Sequence, residues 1–341
     1  LETAKSEDNK ELVELLEAKQ DYAHGITQAA YHKTRDANQL LNLWRHPADL
    51  NGKKLLFTNG PGLGDFLMLY PAVKKIKALY PGVFIGTACH SFYTEFLKAL
   101  PLFDEVIPYP AKIETVTGYD YHVNYESMFE LDPRANELLA SRLFAEKLGL
   151  ELSDAEHEFD LQMGDFDGKA FLAAREEGWT TEYREWFNRK FTEGKQPGEK
   201  WIGLFLRTSA QCRNWRPDNV LALTHFLIAN GYQVFWLGRA GDGYDYGFFP
   251  CGNEGNYFGG FCGAPSGFHN FTGLLDNPLQ LSEFVKDWID LIITPDSFAW
   301  HLGGILKKPT IGLFGPIPTL LRMSPAYKTC IGLSKKGLEC A

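Results

Sequence analysis

The chain has 341 residues, enough for two domains of ordinary size. Its apolar and charged fractions, 45% and 23%, are those of a globular protein, and a net charge of −9 argues against phosphate-backbone binding as its main business. No apolar run approaches the roughly 18 to 20 residues that span a bilayer, so no transmembrane segment is expected. Six cysteines in a chain of this length do not make a disulfide scaffold, which points to a reducing cytoplasm. The first residues, Leu1 to Asp8, are too charged for a signal peptide.

Residues 1–50 read as two polar helices with apolar positions at Leu12, Leu15, Leu16 and then Leu40, Leu41, Leu43 and Trp44. They form a helical N-terminal extension and a candidate contact for a homo-oligomer. Residues 51–198 follow as a first α/β domain. Its strands are expected at Lys54–Thr58, Val83–Thr87, Glu105–Ile107 and Tyr121–Asn124, and its helices near Pro71–Leu79, Tyr93–Ala99 and Asn136–Leu148. The apolar stripe of the first helix begins at Phe66, but Pro71 would kink a helix begun there, so the regular helix is expected from Pro71.

A charged, tryptophan-rich helical stretch, Ala170 to Phe191, leads into the polar Gly/Pro-containing run Thr192 to Glu199, read as the domain boundary. Residues 199–341 then alternate again. Strands are expected at Trp201–Leu206, Gln233–Leu237, Leu291–Thr294 and Thr310–Phe314. Helices are expected at Asn219–Ala229, Leu279–Trp288 and Ala299–Leu306. Such alternation implies parallel sheets covered on both faces, hence an α/β fold of two Rossmann-like domains facing a cleft.

The most informative turn follows the first strand. Gly60, Gly62 and Gly64 would begin a dinucleotide fingerprint, but the third glycine position holds Asp65. A carboxylate there would repel a pyrophosphate from the helix N-terminus. Nor does an acidic residue end the next strand, where His90 stands. Two readings remain open: a carboxylate presented for chemistry, or an ordinary helix cap.

Three segments of the second half carry further chemistry. After the strand at Trp201, Arg207, Arg213 and Arg216 supply charge while Thr208 and Ser209 supply hydroxyls, a set suited to a diphosphate. After the strand at Leu291, Asp296 and Ser297 precede a helix, so the amides of Ser297, Phe298 and Ala299 would point at whatever occupies the turn. In the Gly238-to-Asp242 turn, Asp242 is placed to take ribose hydroxyls, a weaker signal. Lone readings of each are bland: a solvated basic loop, a capped helix, a turn.

Taken in order, Gly62-Leu-Gly-Asp65, Arg213-Asn-Trp215, Phe271-Thr-Gly273, Pro295 to Leu302 and Lys308 to Pro316 resemble the heptosyltransferase-like glycosyltransferases of family 9. The resemblance covers about Lys53 to Pro316. It implies a GT-B architecture, an acceptor-side N-terminal domain and a C-terminal domain that holds the nucleotide-sugar. It also implies inverting transfer, of a heptose or another sugar, onto a hydroxyl of a glycan or protein, with no cofactor or metal required for catalysis. By the same resemblance Asp65 matches the catalytic base; Thr208, Ser209, Arg213, Asp296, Ser297 and Phe298 match donor-binding positions. The chain departs from the family in its Phe298, where glycine is usual, in its glycine- and aromatic-rich insert from Gly243 to Asn270, and in its N-terminal extension.

Cys251 and Cys262 in the insert and Cys330 and Cys340 near the C-terminus could supply four thiolates to a structural metal, although they lack the tight C-x₂₋₄-C spacing. The rival to an enzyme is a non-catalytic sugar-nucleotide or glycan-binding protein on the same fold. No nucleic-acid partner is expected.

Overall fold

The computed structural model describes residues 49–58, 62–109, 111–125, 132–135, 137–174, 181–208, 211–239, 267–275, 277–315 and 317–334. The expected N-terminal helices, with their oligomer contact, lie outside the described residues. The chain divides into two compact units, Leu1–Glu156 and His157–Ala341. Among the described residues no helix is long and apolar enough to cross a membrane.

The first unit runs β1 (Lys54–Thr58), α1 (Leu63–Leu79), β2 (Phe84–Cys89), α2 (Thr94–Lys98), β3 (Glu105–Pro108), α3 (Ile113–Val116), β4 (Tyr121–Asn124) and α4 (Ala140–Lys147). Its strands form one sheet in the order β3-β2-β1-β4, every pair parallel. β1 is the central strand, and Leu55, Leu56 and Phe57 are fully buried, as both faces of a parallel sheet require. α1 begins at Leu63 and runs through Pro71 without interruption, contrary to the expected start at Pro71. A proline inside a helix costs about 3 kcal/mol. Here Phe66, Leu67, Leu69, Tyr70, Val73 and Ile76 are all buried on both sides of it, and each such burial returns roughly 1.5 to 3 kcal/mol. Packing therefore overrides the local penalty.

The second unit runs α5 (Gly168–Ala173), α6 (Thr181–Glu193), β5 (Trp201–Phe205), α7 (Pro217–Ala229), β6 (Gln233–Leu237), β7 (Phe268–Asn270), α8 (Pro278–Trp288), β8 (Leu291–Pro295), α9 (Phe298–Ile305), β9 (Thr310–Phe314) and β10 (Cys330–Ser334). The parallel sheet has the order β10-β9-β8-β5-β6-β7, the winding of a Rossmann fold.

The division of the chain falls earlier than the Gly/Pro-containing run at 192–199, and the reason is aromatic packing. Phe166, Phe171, Tyr183 and Phe187 share one buried cluster with Trp201, Phe235, Phe271 and Phe284. His269 lies flat between Phe235 and Trp186, at 4.4 and 4.8 Å between ring centroids. Its Nδ1 meets the Tyr183 hydroxyl at 3.0 Å and its Nε2 meets Gln233 Oε1 at 2.8 Å. Thus α5 and α6 form part of the second unit's core. The run between α6 and β5 is itself fastened there, with Lys195 Nζ donating to Asp290 Oδ2 at 2.6 Å.

Candidate functional site

In an open α/β sheet, ligands sit at the carboxyl ends of the strands where the winding reverses. In the second unit that point lies between β5 and β8, whose parallel register pairs Leu204 with Ile293. The two segments singled out in the sequence leave these strands side by side, and they meet. Arg213 Nη1 donates to the backbone oxygen of Asp296 at 3.1 Å and to its Oδ2 at 3.3 Å. Arg213 closes the short 3₁₀ turn Gln211–Arg213. Asn214 then folds back on the start of the loop: its Oδ1 accepts from the Thr208 amide at 2.7 Å and from the Thr208 hydroxyl at 3.2 Å. Asn214 thus ties the described ends of the loop together, while Arg216 stays exposed.

On the β8 side, Ser297 is the N-cap of α9, and its hydroxyl accepts from the Ala299 amide at 3.2 Å and pairs with Thr294 Oγ1 at 2.9 Å. One of the three amides expected to face a ligand is therefore satisfied by the cap, which is the plain structural reading of that residue. Phe298 is half-buried, and its ring packs against the aromatic core of the unit. It starts α9 with ordinary negative φ, so phenylalanine in place of glycine imposes no backbone strain there.

Asp296 is buried, and a second guanidinium reaches it: Arg322 Nε stands 3.8 Å from Oδ1. The carboxylate faces two arginines inside the protein. Behind it, His301 Nδ1 meets the Tyr327 hydroxyl at 3.0 Å. A Cβ on Gly304 would come 2.2 Å from the Tyr327 ring, so glycine at that helical position is what lets the tyrosine lie against α9. Burial, with Arg322 and then Arg213 nearby, pushes the His301 pKa down from 6.5 to about 3, so its imidazole is neutral at ordinary pH. Burial pushes the Tyr327 hydroxyl far up, so it stays protonated.

In the first unit the reversal lies between β1 and β4. Asp65 occupies the third position of α1, half-buried. A Cβ on the N-cap Gly62 would fall 2.0 Å from Asp65 Oδ2, so the carboxylate lies directly over the glycine. Gly62 itself has φ −114°, a conformation open to any residue. The glycine is needed for space: what approaches the backbone here is the carboxylate of the same turn. At the same edge, Thr58 Oγ1 and His122 Nε2 are 2.9 Å apart and buried, with the His122 pKa lowered by burial to about 4.

Of the expected site residues, Gly60, Ser209 and Asp242 lie outside the described residues, as do Cys251, Cys262 and Cys340. Gly64 lies in the first turn of α1. Cys330 opens β10, its thiol pushed up to about 11 by burial. Among the described residues no group of three or more His, Cys, Asp or Glu could hold a metal. Asn214 entered the sequence reading only as the middle of the Arg213-Asn-Trp215 motif, with no role of its own, and Arg322, which follows β9 in a turn that carries no motif, was not singled out.

No protein-family model matches the chain, and no curated protein matches it. Among solved structures the fold is that of the GT-B glycosyltransferases. A family 9 glycosyl transferase from Veillonella parvula aligns with a TM-score of 0.57 at 14% identity, over 85% of this chain and 88% of that one. The ADP-heptose lipopolysaccharide heptosyltransferase II of E. coli aligns with a TM-score of 0.56 at 15% identity, over 82% and 90%. The dodecameric iron-containing heptosyltransferase TibC, in complex with ADP-D-β-D-heptose, aligns with a TM-score of 0.54 at 14% identity, over 83% of this chain and 63% of that one. At such identities the likeness is one of fold.

Proposed function

We propose that this chain is an inverting glycosyltransferase that moves a sugar, a heptose being the first candidate, from a nucleoside-diphosphate donor to a hydroxyl of a glycan or protein. The observation that carries the reading is the junction of the Arg213 loop with the Asp296 turn at the reversal of the second sheet. A guanidinium fixed there, beside a helix N-terminus, suits a diphosphate. On this reading the C-terminal unit holds the nucleotide-sugar through Thr208, Ser209, Arg213, the turn at Asp296, Ser297 and Phe298, and Asp242 at the ribose. The N-terminal unit serves the acceptor.

The chemistry follows from charge. As the glycosidic bond breaks, negative charge grows on the leaving nucleoside diphosphate, and fixed donors aimed at it lower the barrier. Asp65 takes the proton of the acceptor hydroxyl as that oxygen attacks the anomeric carbon from the opposite face, inverting its configuration. The cationic loop supplies the charge that a divalent metal would otherwise bring, so the step is proposed to need none. The fold neighbours named for ADP-heptose make an ADP-sugar the first donor to try.

Thermal stabilisation by ADP-, UDP-, GDP- and CDP-sugars, measured against NAD(H), tests the reading. A rise in melting temperature with one sugar-nucleotide class is the expected result. Stabilisation by NAD(H) alone, or by none of them, would overturn it. Binding without any transfer to acceptors would instead favour a sugar-nucleotide-binding protein.

A further inference from the structure

Three charged groups stand in line at the head of α9. Asp296 presents Oδ2 and its backbone oxygen to Arg213, at 3.3 and 3.1 Å, and Oδ1 to Arg322 at 3.8 Å. Asp296, between the two arginines, is the most buried at 3%, against 8% for the Arg322 side chain and 22% for that of Arg213. Arg213 is the member that faces outward. Arg322 lies behind, and its backbone is bolted to the helix: the indole N–H of Trp300, a fully buried residue of α9, donates to the Arg322 carbonyl at 2.8 Å. The Arg322 amide in turn closes the 3₁₀ turn Thr319–Leu321 by donating to the Thr319 carbonyl at 3.0 Å.

A buried carboxylate can swivel about its last torsion, which is broad for aspartate. One guanidinium on one oxygen leaves that rotation weakly defined; a second cation paired with the other oxygen, carried on an anchored backbone, restrains the carboxylate plane. We propose that Arg322 is a positioning residue for the donor-phosphate grip, acting through Asp296 to hold the Arg213 guanidinium in place for a nucleoside diphosphate. The inference rests on the nucleotide-sugar reading of the site and adds to it a residue outside every segment that suggested that reading. Arg322 touches no ligand in this scheme. Its effect runs through the carboxylate.

A double-mutant cycle tests the relay. Calorimetric titration with ADP, UDP, GDP and CDP first identifies the nucleoside diphosphate that the wild-type chain binds. That diphosphate is then titrated into R322Q, R213A and R213A/R322Q. R322Q is expected to weaken binding about 10-fold in the wild-type background and less than about 2-fold in the R213A background, because the residue it positions is then gone. Equal losses in both backgrounds would mean that Arg322 contacts the ligand itself or only supports the fold, and would overturn the relay. No loss in the wild-type background would do the same.

R322K guards against misfolding. It keeps the charge but loses the planar fork, and is expected to weaken binding about 3-fold in the wild-type background alone. Failure of both variants to fold would make Arg322 a structural counter-ion and reject the proposal. Should the wild-type chain bind none of the four diphosphates, the donor reading fails and the relay with it. A wild-type chain that binds, with Arg213 sensitive and Arg322 indifferent, sinks the relay only.

Discussion

Arg213 and Asp296, 83 residues apart, are joined twice by one guanidinium nitrogen, which reaches both the backbone oxygen and the carboxylate of the aspartate. The loop after β5 and the turn after β8 are thereby one structural object. Replacing Arg213 with alanine removes the tie as well as the charge offered to a phosphate. A charge-assisted hydrogen bond contributes roughly 1.5 to 3 kcal/mol, so R213A should weaken nucleotide-sugar binding by about 10- to 150-fold. Titration calorimetry with the donor reads this directly; an unchanged dissociation constant would make the loop a basic surface and nothing more.

Asp65 over Gly62 yields a pair of predictions with different signatures. Asp65→Asn should leave donor affinity nearly intact and lower turnover ~10²- to 10⁴-fold, the usual loss for a general base. Gly62→Ala leaves the carboxylate in the chain but places a methyl group where Oδ2 now lies, 2.0 Å away. The φ of −114° suits alanine, so the fold should hold while turnover drops up to about 100-fold through misplacement. Near-wild-type turnover in D65N, with a competent acceptor, would return Asp65 to the role of a helix cap.

Metal removal separates two mechanisms. If arginine and helix amides stabilise the leaving group as proposed, transferase activity should persist in full in EDTA. Loss restored by Mg²⁺ or Mn²⁺ would show that the charge comes from a metal instead. Loss accompanied by unfolding would point to a structural metal at the cysteines.

Stability of the second unit should fall in mild acid. His269 and His301 are both held near pKa 3 by burial, against an ordinary value of 6.5. Below pH 6.5 the unfolded chain takes up protons that the native state refuses, so stability drops as pH falls from 6.5 towards 3 and levels off below that. Each histidine contributes up to about 1.4 kcal/mol per pH unit within that window. Denaturant melts between pH 7 and 4.5 measure the slope. His269→Gln should reduce it by about one proton, and an unaltered slope would place the acid sensitivity elsewhere.

Hydrophobic periodicity made most of this architecture legible. β1, β4, β6 and β9 have the bounds expected of them. The two strands not foreseen are edge strands: β7 is buried but only three residues long, Phe-His-Asn, and β10 leaves Ile331 and Leu333 exposed, so neither offers a long buried apolar run. The extent of the second unit was hidden because aromatic residues of α6 pack on a histidine of β7 some 80 residues later, a relationship that no local pattern carries. Among the candidate site residues, motif spacing singled out Asp65, Arg213 and Asp296, and the structure brings the last two together. Arg322 was invisible for the same reason as that packing: its pairing with Asp296 is made across the fold.

The two sheets share one winding. β3-β2-β1-β4 in the first unit and β7-β6-β5-β8 in the second place the first and fourth strands of each unit side by side. Equivalent loops then carry opposite charge: a carboxylate after β1, an arginine after β5. A chain arranged in this way can diverge in halves. Mutations in the loops at one reversal point leave those at the other in place, because the two points lie on different sheets. On the proposed reading, donor choice and acceptor choice become separately heritable traits, open to exchange by grafting one unit's loops without rebuilding the other.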